Sequence, residues 1–312
     1  MWSSKPRAPR SKAELRVLPP TARRLARSII PSGLQPPLRR VAQRRGWISP
    51  PPSADDDPFQ YPFWQILSRE TSTYPHYLWG TMCAASLAAA LGQRRVAVIE
   101  FGVAGGNGLL ELERVAGWVE RRSGVGIDVY GFDTGRGLPQ PQDYRDLPNL
   151  WSEGHFPMDH EQLRSCLGRA ELELGPVAET VPRFLESGPA PIGFVSFDLD
   201  LYSSTVDAFR IFESPPERLL PRVTCYFDDI IGFSHGDFAG ERLAISEFNQ
   251  THEDRKISQL YGLRYVLLQE KWWTEMMYMF HLFDHPDYNR PDGTNTRREL
   301  PLRGGDGAPQ VS

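Results

Sequence analysis

Six acidic residues stand where they could do chemistry. Glu100, Asp133, Asp198, Asp200, Asp228 and Asp229 each close or follow a short apolar run: VAVIE, IDVYGFD, IGFVSFDLD and RVTCYFDD. Runs of this length, rich in β-branched and aromatic residues, read as buried strands. The acids therefore collect at strand C-termini, whereas acids placed at random would scatter to both ends. In wound α/β sheets that rim is where ligands bind, near the switch in strand order.

After Glu100 come Gly102, Gly105, Gly106 and Gly108. This is a strand-to-helix turn whose backbone can take positive φ and admit a ligand closely. A carboxylate beside it suits a ligand with hydroxyls or a positive centre and does not suit bare phosphate. Asp133 lies 33 positions beyond Glu100, the length of one strand–helix–strand unit. An acid there either hydrogen-bonds the ribose of a dinucleotide or adenosyl ligand or caps a turn. If the strands before Asp198 and Asp228 are neighbours, about 4.8 Å apart, Asp198, Asp228 and Asp229 repel one another unless they are protonated or bridged by a cation. Oxygen-only ligation favours Mg2+ or Ca2+ over zinc. Asp200 reads instead as a helix cap, a role for which Ser203, Ser204 and Thr205 also compete.

The elements that must position these acids alternate. Helices are expected over 74–91 (closed by Gly92), 107–121, 159–167, 205–212 and 241–249, with Pro215-Pro216 breaking the fourth. Strands are expected over 96–99, 127–132, 172–177, 192–197 and 222–227, with a closing pair at 264–269 and 276–283. Such alternation gives an α/β fold, a doubly wound, mostly parallel sheet with helices on both faces. The cluster of aromatics and methionines at 272–280 reads as core. The polar and aromatic loop over 140–158 is long enough to be functional. It reads as a lid, with Trp151, His155, Phe156 and Met158 facing a pocket. His155 and His235 are candidate proton acceptors beside Asp198.

Composition bounds the rest. The chain has 312 residues, enough for a sizeable core. Residues 1–50 hold 12 of the 35 Lys and Arg residues but one acid, Glu14, so the remainder carries 23 basic against 38 acidic residues. An acidic body argues against nucleic acid as its substrate. Residues 1–57 read as a disordered basic Pro/Arg-rich arm suited to an anionic surface, 58–285 as one folded domain, and 286–312 as a disordered tail. The widely spaced Cys83, Cys166 and Cys225 read as reduced, buried thiols of a cytoplasmic protein. There is no transmembrane run and no apolar signal core.

The segment Glu100-Phe-Gly102-Val-Ala-Gly105-Gly106 resembles the first motif of class I S-adenosylmethionine-dependent methyltransferases, with Ala104 where a glycine often stands. Together with GFDTGRGLP (131–139), FDLDLYSST (197–205) and FDDI (227–230), the chain over roughly residues 70–283 resembles the macrocin O-methyltransferase family, which modifies sugar hydroxyls of natural products. Leu199 and Leu220-Pro221 replace glycines common in that family. The resemblance implies a seven-stranded Rossmann-like methyltransferase sheet and S-adenosylmethionine held by Glu100, Gly102, Val103, Ala104, Gly105, Gly106 and Asp133. It also implies Mg2+ held by Asp198, Asp228 and Asp229, with Asp198 as general base. The activity implied is O-methylation of a small-molecule hydroxyl, in a protein that can also form a homo-oligomer. Two rivals are an NAD(P)-dependent Rossmann oxidoreductase and a non-catalytic methyltransferase-fold binding protein working through the basic arm. The first would want G-x-G-x-x-G, which Gly102, Ala104 and Gly105 fit poorly.

Overall fold

The structure, a computed structural model, describes residues 72–232, 236–265 and 271–290. The basic arm at 1–57, His235, positions 266–269 and the tail beyond 290 lie outside the described residues.

The first described helix, α1 (Pro75–Leu91), begins on a proline, which fits a first turn whose N–H groups have no helical partner. It ends at Gly92, which is left-handed at φ 79°, with its N–H on Ala89 O at 3.0 Å and Gln93 N–H on Ala88 O at 2.9 Å. Then follow β1 (Arg95–Phe101), α2 (Asn107–Ser123), β2 (Gly126–Asp133), α3 (His160–Cys166), β3 (Glu171–Leu174), α4 (Val177–Glu186), β4 (Ile192–Phe197), α5 (Tyr202–Ala208), β5 (Leu219–Phe227), α6 (Gly240–Thr251), β6 (Arg255–Gln259) and β7 (Met277–Leu282). The sheet order is β3-β2-β1-β4-β5-β7-β6. The first five strands are parallel, and β7 runs antiparallel to both β5 and β6. This is a doubly wound, mostly parallel seven-stranded sheet, as expected, closed by an antiparallel hairpin.

Two cores sandwich it. Along β1, Val96 and Val98 join a cluster with α1 and α2, while Ala97, Ile99 and Phe101 join one with α4, α5 and α6. The two-residue period of the strand splits one apolar run between both faces. On the second face Phe197 stacks on Phe227 with ring centroids 4.7 Å apart, and Phe212 stacks on Phe280 at 4.1 Å. No described helix is long and apolar enough to cross a membrane.

Four expectations need correction. Val177 does not extend the third strand but opens α4, despite Pro182 inside it. The i, i+4, i+7 stripe of Val177, Val181 and Phe184 is buried, and that burial offsets the hydrogen bond the proline removes. β7 pairs with β5 and β6, and of the expected partner strand at 264–269 the described residues Arg264 and Tyr265 sit in a 3-10 turn, Leu263–Tyr265. β6 is a polar edge strand whose one buried residue is Ile257, a common defence of a sheet edge that leaves almost no apolar pattern. Cys166 is exposed rather than buried, although all three thiols are free. Residues 286–290 form turns held by Arg222 Nη1 donating to Tyr288 O at 2.9 Å and by His281 Nδ1 meeting the Tyr288 hydroxyl at 2.9 Å.

Candidate active site

A pocket of about 480 Å3 opens at the C-terminal ends of β1, β2, β4 and β5. It lies where β1 is flanked by β2 on one side and β4 on the other, the switch in strand order. The turn after β1 contributes Gly102 and Ala104, the turn after β2 contributes Asp133 and Thr134, and Pro176 and Val177 form an apolar wall. Asp198 to Asp200 enter after β4, and Asp228 and Asp229 after β5. The lining includes Asp207 and so counts six aspartates; among the described lining residues there is no Lys, Arg or His.

The rim is tied together by backbone bonds. Gly102 N–H donates to Phe132 O at 2.9 Å, and Asp198 N–H donates to Phe101 O at 3.0 Å. Gly102 is left-handed at φ 84°, and a Cβ there would stand 1.7 Å from Asp198 O, so only glycine lets the β1 turn reach the end of β4. Asp133 both caps its own turn and pins the glycine turn: Oδ1 accepts from Gly135 N at 2.7 Å and Oδ2 from Ala104 N at 2.9 Å. Each oxygen keeps lone-pair capacity toward the pocket. Val103 is buried in the core, Gly106 caps α2, and Gly105 is exposed with open space beside it. These three do not line the pocket.

Glu100 lies under the turn, not in the pocket. Its Oε1 accepts from the Tyr77 hydroxyl at 2.6 Å, and Gly108 packs against it so closely that a Cβ would fall 1.9 Å from the same oxygen. Burial raises its carboxyl from 4.5 to about 8; Asp133 adds to the rise and the Tyr77 bond opposes it.

The central feature is a carboxylate group that sequence reading places only in part. Ligand oxygens of Asp198, Asp200 and Asp229 lie within 4.8 Å of one another. Asp228 lines the pocket beside them, but its Oδ1 accepts the Tyr226 hydroxyl at 2.6 Å. Asp200 is not a helix cap, since Leu201 stands at that position of α5 with no side-chain cap. It occupies a left-handed backbone at φ 61°, where Leu201 N–H closes a tight turn on Leu199 O at 2.6 Å. Burial first, then Asp228, Asp200 and Asp229, pushes the Asp198 carboxyl well above its ordinary range. Asp200 rises to about 8, from burial and then from Asp229 and Asp228. Behind them Glu241, fully buried, accepts Asp229 N–H at 3.0 Å; burial and then Asp229 and Asp198 drive its carboxyl far up. Hard oxygens crowded at low dielectric fit a divalent cation.

The 140–158 loop reaches the pocket through Gln140, Gln142, Trp151 and Phe156. His155 is exposed and outside the lining; its carbonyl accepts from Leu138 N at 2.8 Å and its N–H donates to Ser152 O at 3.2 Å, while Met158 is buried in the core. Asp146, 1% exposed, anchors the loop: Oδ1 accepts Ser203 N–H at 2.8 Å, and Oδ2 accepts Ser203 Oγ–H at 3.0 Å and Gln142 N–H at 2.8 Å. Asp146, Tyr226 and Glu241 escape sequence reading, because their partners come from other elements and no local pattern marks them.

No family model matches the chain, and no curated protein matches it either. Among solved structures, the chain is similar to CalS11, described as a calicheamicin methyltransferase, at 19% identity over 80% of this chain and 95% of that one, with a TM-score of 0.49. It is similar to the O-methyltransferase NovP at 13% identity over 66% of this chain and 79% of that one, TM-score 0.44. It is also similar to an O-methyltransferase from Bacillus cereus at 12% identity over 78% of this chain and 97% of that one, TM-score 0.38.

Proposed function

We propose that this protein is an S-adenosylmethionine-dependent O-methyltransferase acting on a hydroxyl of a small molecule of sugar or natural-product type, with assistance from a divalent cation. One observation carries the reading: six aspartates and no basic side chain among the described residues around the pocket at the switch point. Such a lining attracts a sulfonium and ammonium centre and repels the pyrophosphate of a nicotinamide dinucleotide. The volume is within the range that takes a ligand of this size, and Pro176 and Val177 offer an apolar wall to an adenine face.

When bound, S-adenosylmethionine supplies an electrophilic methyl group; as the acceptor oxygen bonds to that carbon, the carbon–sulfur bond breaks to leave a thioether. The chain then has three tasks. Asp133, fixed by Ala104 and Gly135, takes the ribose hydroxyls and so sets the donor's position. Asp198 faces the same pocket and accepts the proton that the acceptor hydroxyl releases. Trp151 and Phe156 wall off water over the reacting groups. Holding donor and acceptor in line is the main source of acceleration in such a displacement. Asp198 and Asp229, with a third carboxylate, would hold a divalent cation, which lowers the acceptor's pKa and fixes its direction. A reduced cytoplasmic setting accords with three free thiols.

The test is turnover of methyl-labelled S-adenosylmethionine by the full chain with a panel of sugars and polyhydroxylated aromatics. Label in an ether product, lost on adding EDTA and in Asp198→Asn, is expected. Failure to form S-adenosylhomocysteine with any acceptor, while the protein binds none of the donor, would overturn the reading.

A further inference from the structure

Phe156 stands where neither backbone preference nor burial accounts for a phenylalanine. Its φ is 58°, in the left-handed region, and Pro157 follows it, which narrows the backbone of the preceding residue further. That conformation is costly for a bulky L-residue. Burial does not offset the cost, because the residue is 49% exposed. The chain is pinned on both sides instead. His155 O accepts Leu138 N–H at 2.8 Å, and Gly154 N–H donates to Leu138 O at 2.9 Å. Beyond Phe156, Met158 is buried in the core and Asp159 caps α3 by accepting Gln162 N–H at 3.0 Å. Strain held in place by its surroundings gathers at ligand clamps. The ring lines the pocket, and Trp151 meets it edge-on with centroids 5.9 Å apart.

Strand order decides which part of a ligand this ring meets. Leu138 belongs to the turn that starts at Asp133, where Thr134 Oγ1 donates to Gly137 O at 2.6 Å. A Cβ on Gly137 would stand 2.4 Å from His155 O, so the two segments lie in direct contact. Phe156 is therefore fastened to the end of β2. Pro176 and Val177 enter the pocket after β3, the neighbour of β2, whereas Asp198 and Asp228 enter after β4 and β5, on the other side of β1. The pocket thus has an apolar half at β2 and β3 and an acidic half at β4 and β5. We propose that the Phe156 ring stacks on the adenine of S-adenosylmethionine, which it shares with Pro176 and Val177 while Asp133 takes the ribose; this rests on the methyltransferase reading above. A purine is flat with a π face on either side, and an exposed phenyl ring offers it stacking surface without a hydrogen-bonding demand of its own. The acceptor hydroxyl belongs to the other half, with the carboxylates.

Two probes test this by calorimetry on the full chain: S-adenosylhomocysteine, and methylthioadenosine, which keeps the adenosyl group but lacks the amino acid. Phe156→Tyr should stay within threefold of the parent for both. Phe156→Ala and Phe156→Gly should each bind both at least tenfold more weakly, the loss of one stacked base. Glycine separates the ring from the loop, since it favours the left-handed backbone that alanine does not. Phe156→Gly should therefore melt above Phe156→Ala, yet bind no better. Affinity restored to within threefold of the parent in Phe156→Gly would assign the loss to the loop alone and overturn the proposal. A loss confined to S-adenosylhomocysteine would overturn it too, as would a parent that binds S-adenosylhomocysteine but not methylthioadenosine. A parent that binds both probes while Phe156→Ala and Phe156→Gly match it sinks only the role of Phe156, whereas a parent that binds neither sinks the methyltransferase reading.

Discussion

Gly102 and Gly105 are three residues apart in the same motif, yet the structure gives them opposite roles, and replacing each by alanine tests the site's architecture. At Gly102 the backbone is at φ 84° and an added Cβ would stand 1.7 Å from Asp198 O and 2.6 Å from Asp198 C. The left-handed conformation costs an L-residue about 1–2 kcal/mol. To reach ordinary contact the two segments must part by about 1.5–2 Å, against the bonds Asp198 N to Phe101 O and Gly102 N to Phe132 O. Forcing volume into packed structure adds about 1–3 kcal/mol, so the sum is about 2–5 kcal/mol. For a domain of this size that lowers Tm by on the order of 10 °C. Gly105 is exposed, has no atom within 4 Å of an added Cβ and is not left-handed. Its alanine variant should stay within about 0.5 kcal/mol of the parent, the range of surface changes that touch nothing. Differential scanning calorimetry reads the melting temperatures, and titration with S-adenosylhomocysteine should show at least tenfold weaker binding for Gly102→Ala and less than threefold change for Gly105→Ala. Equal melting temperatures for Gly102→Ala and the parent, or equal damage from both variants, would refute the close approach of β1 to β4 at the rim.

Asp146→Ala removes the acceptor of three bonds, two from Ser203 that tie the 140–158 loop to α5 and one from Gln142 within the loop. At about 1 kcal/mol or more for each donor left without a partner, loop cleavage by trypsin in limited proteolysis should accelerate, and an unchanged cleavage rate would show that the loop is held some other way. Glu100→Gln addresses pH. The folded chain keeps a proton on this carboxyl up to about 8, whereas the unfolded chain releases it near 4.5. The group therefore makes stability fall as pH rises through that window. Urea unfolding at pH 5 and pH 8 should show a smaller loss for Glu100→Gln than for the parent, and parallel pH slopes would contradict the buried-acid assignment.

The rim was readable because each acid ends a run apolar enough to be a strand: Val96 to Ile99 before Glu100, Phe132 before Asp133, Phe197 before Asp198 and Phe227 before Asp228. Strand type and approximate ends follow from residue chemistry, and the direction of the chain puts the acids on one edge. What a carboxylate does on that edge does not follow. Asp200 looks like a cap because Ser203, Ser204 and Thr205 follow it, but its left-handed turn delivers it to the pocket instead. Glu241 looks like an exposed first-turn acid of α6, and only packing against the end of β5 buries it. Pro182 hides α4 and charge hides β6, since in each case tertiary contacts outweigh the local signal. Asp146 meets Ser203 across 57 positions, a pairing no spacing rule could find.

The most direct test of the central claim is calorimetric titration of the full chain with S-adenosylmethionine and, separately, with NAD+. An acid-lined pocket holding a ribose through Asp133 requires one site for the sulfonium donor, at least tenfold weaker in Asp133→Asn, and no measurable binding of the dinucleotide. Binding of NAD+ with none of S-adenosylmethionine would contradict it.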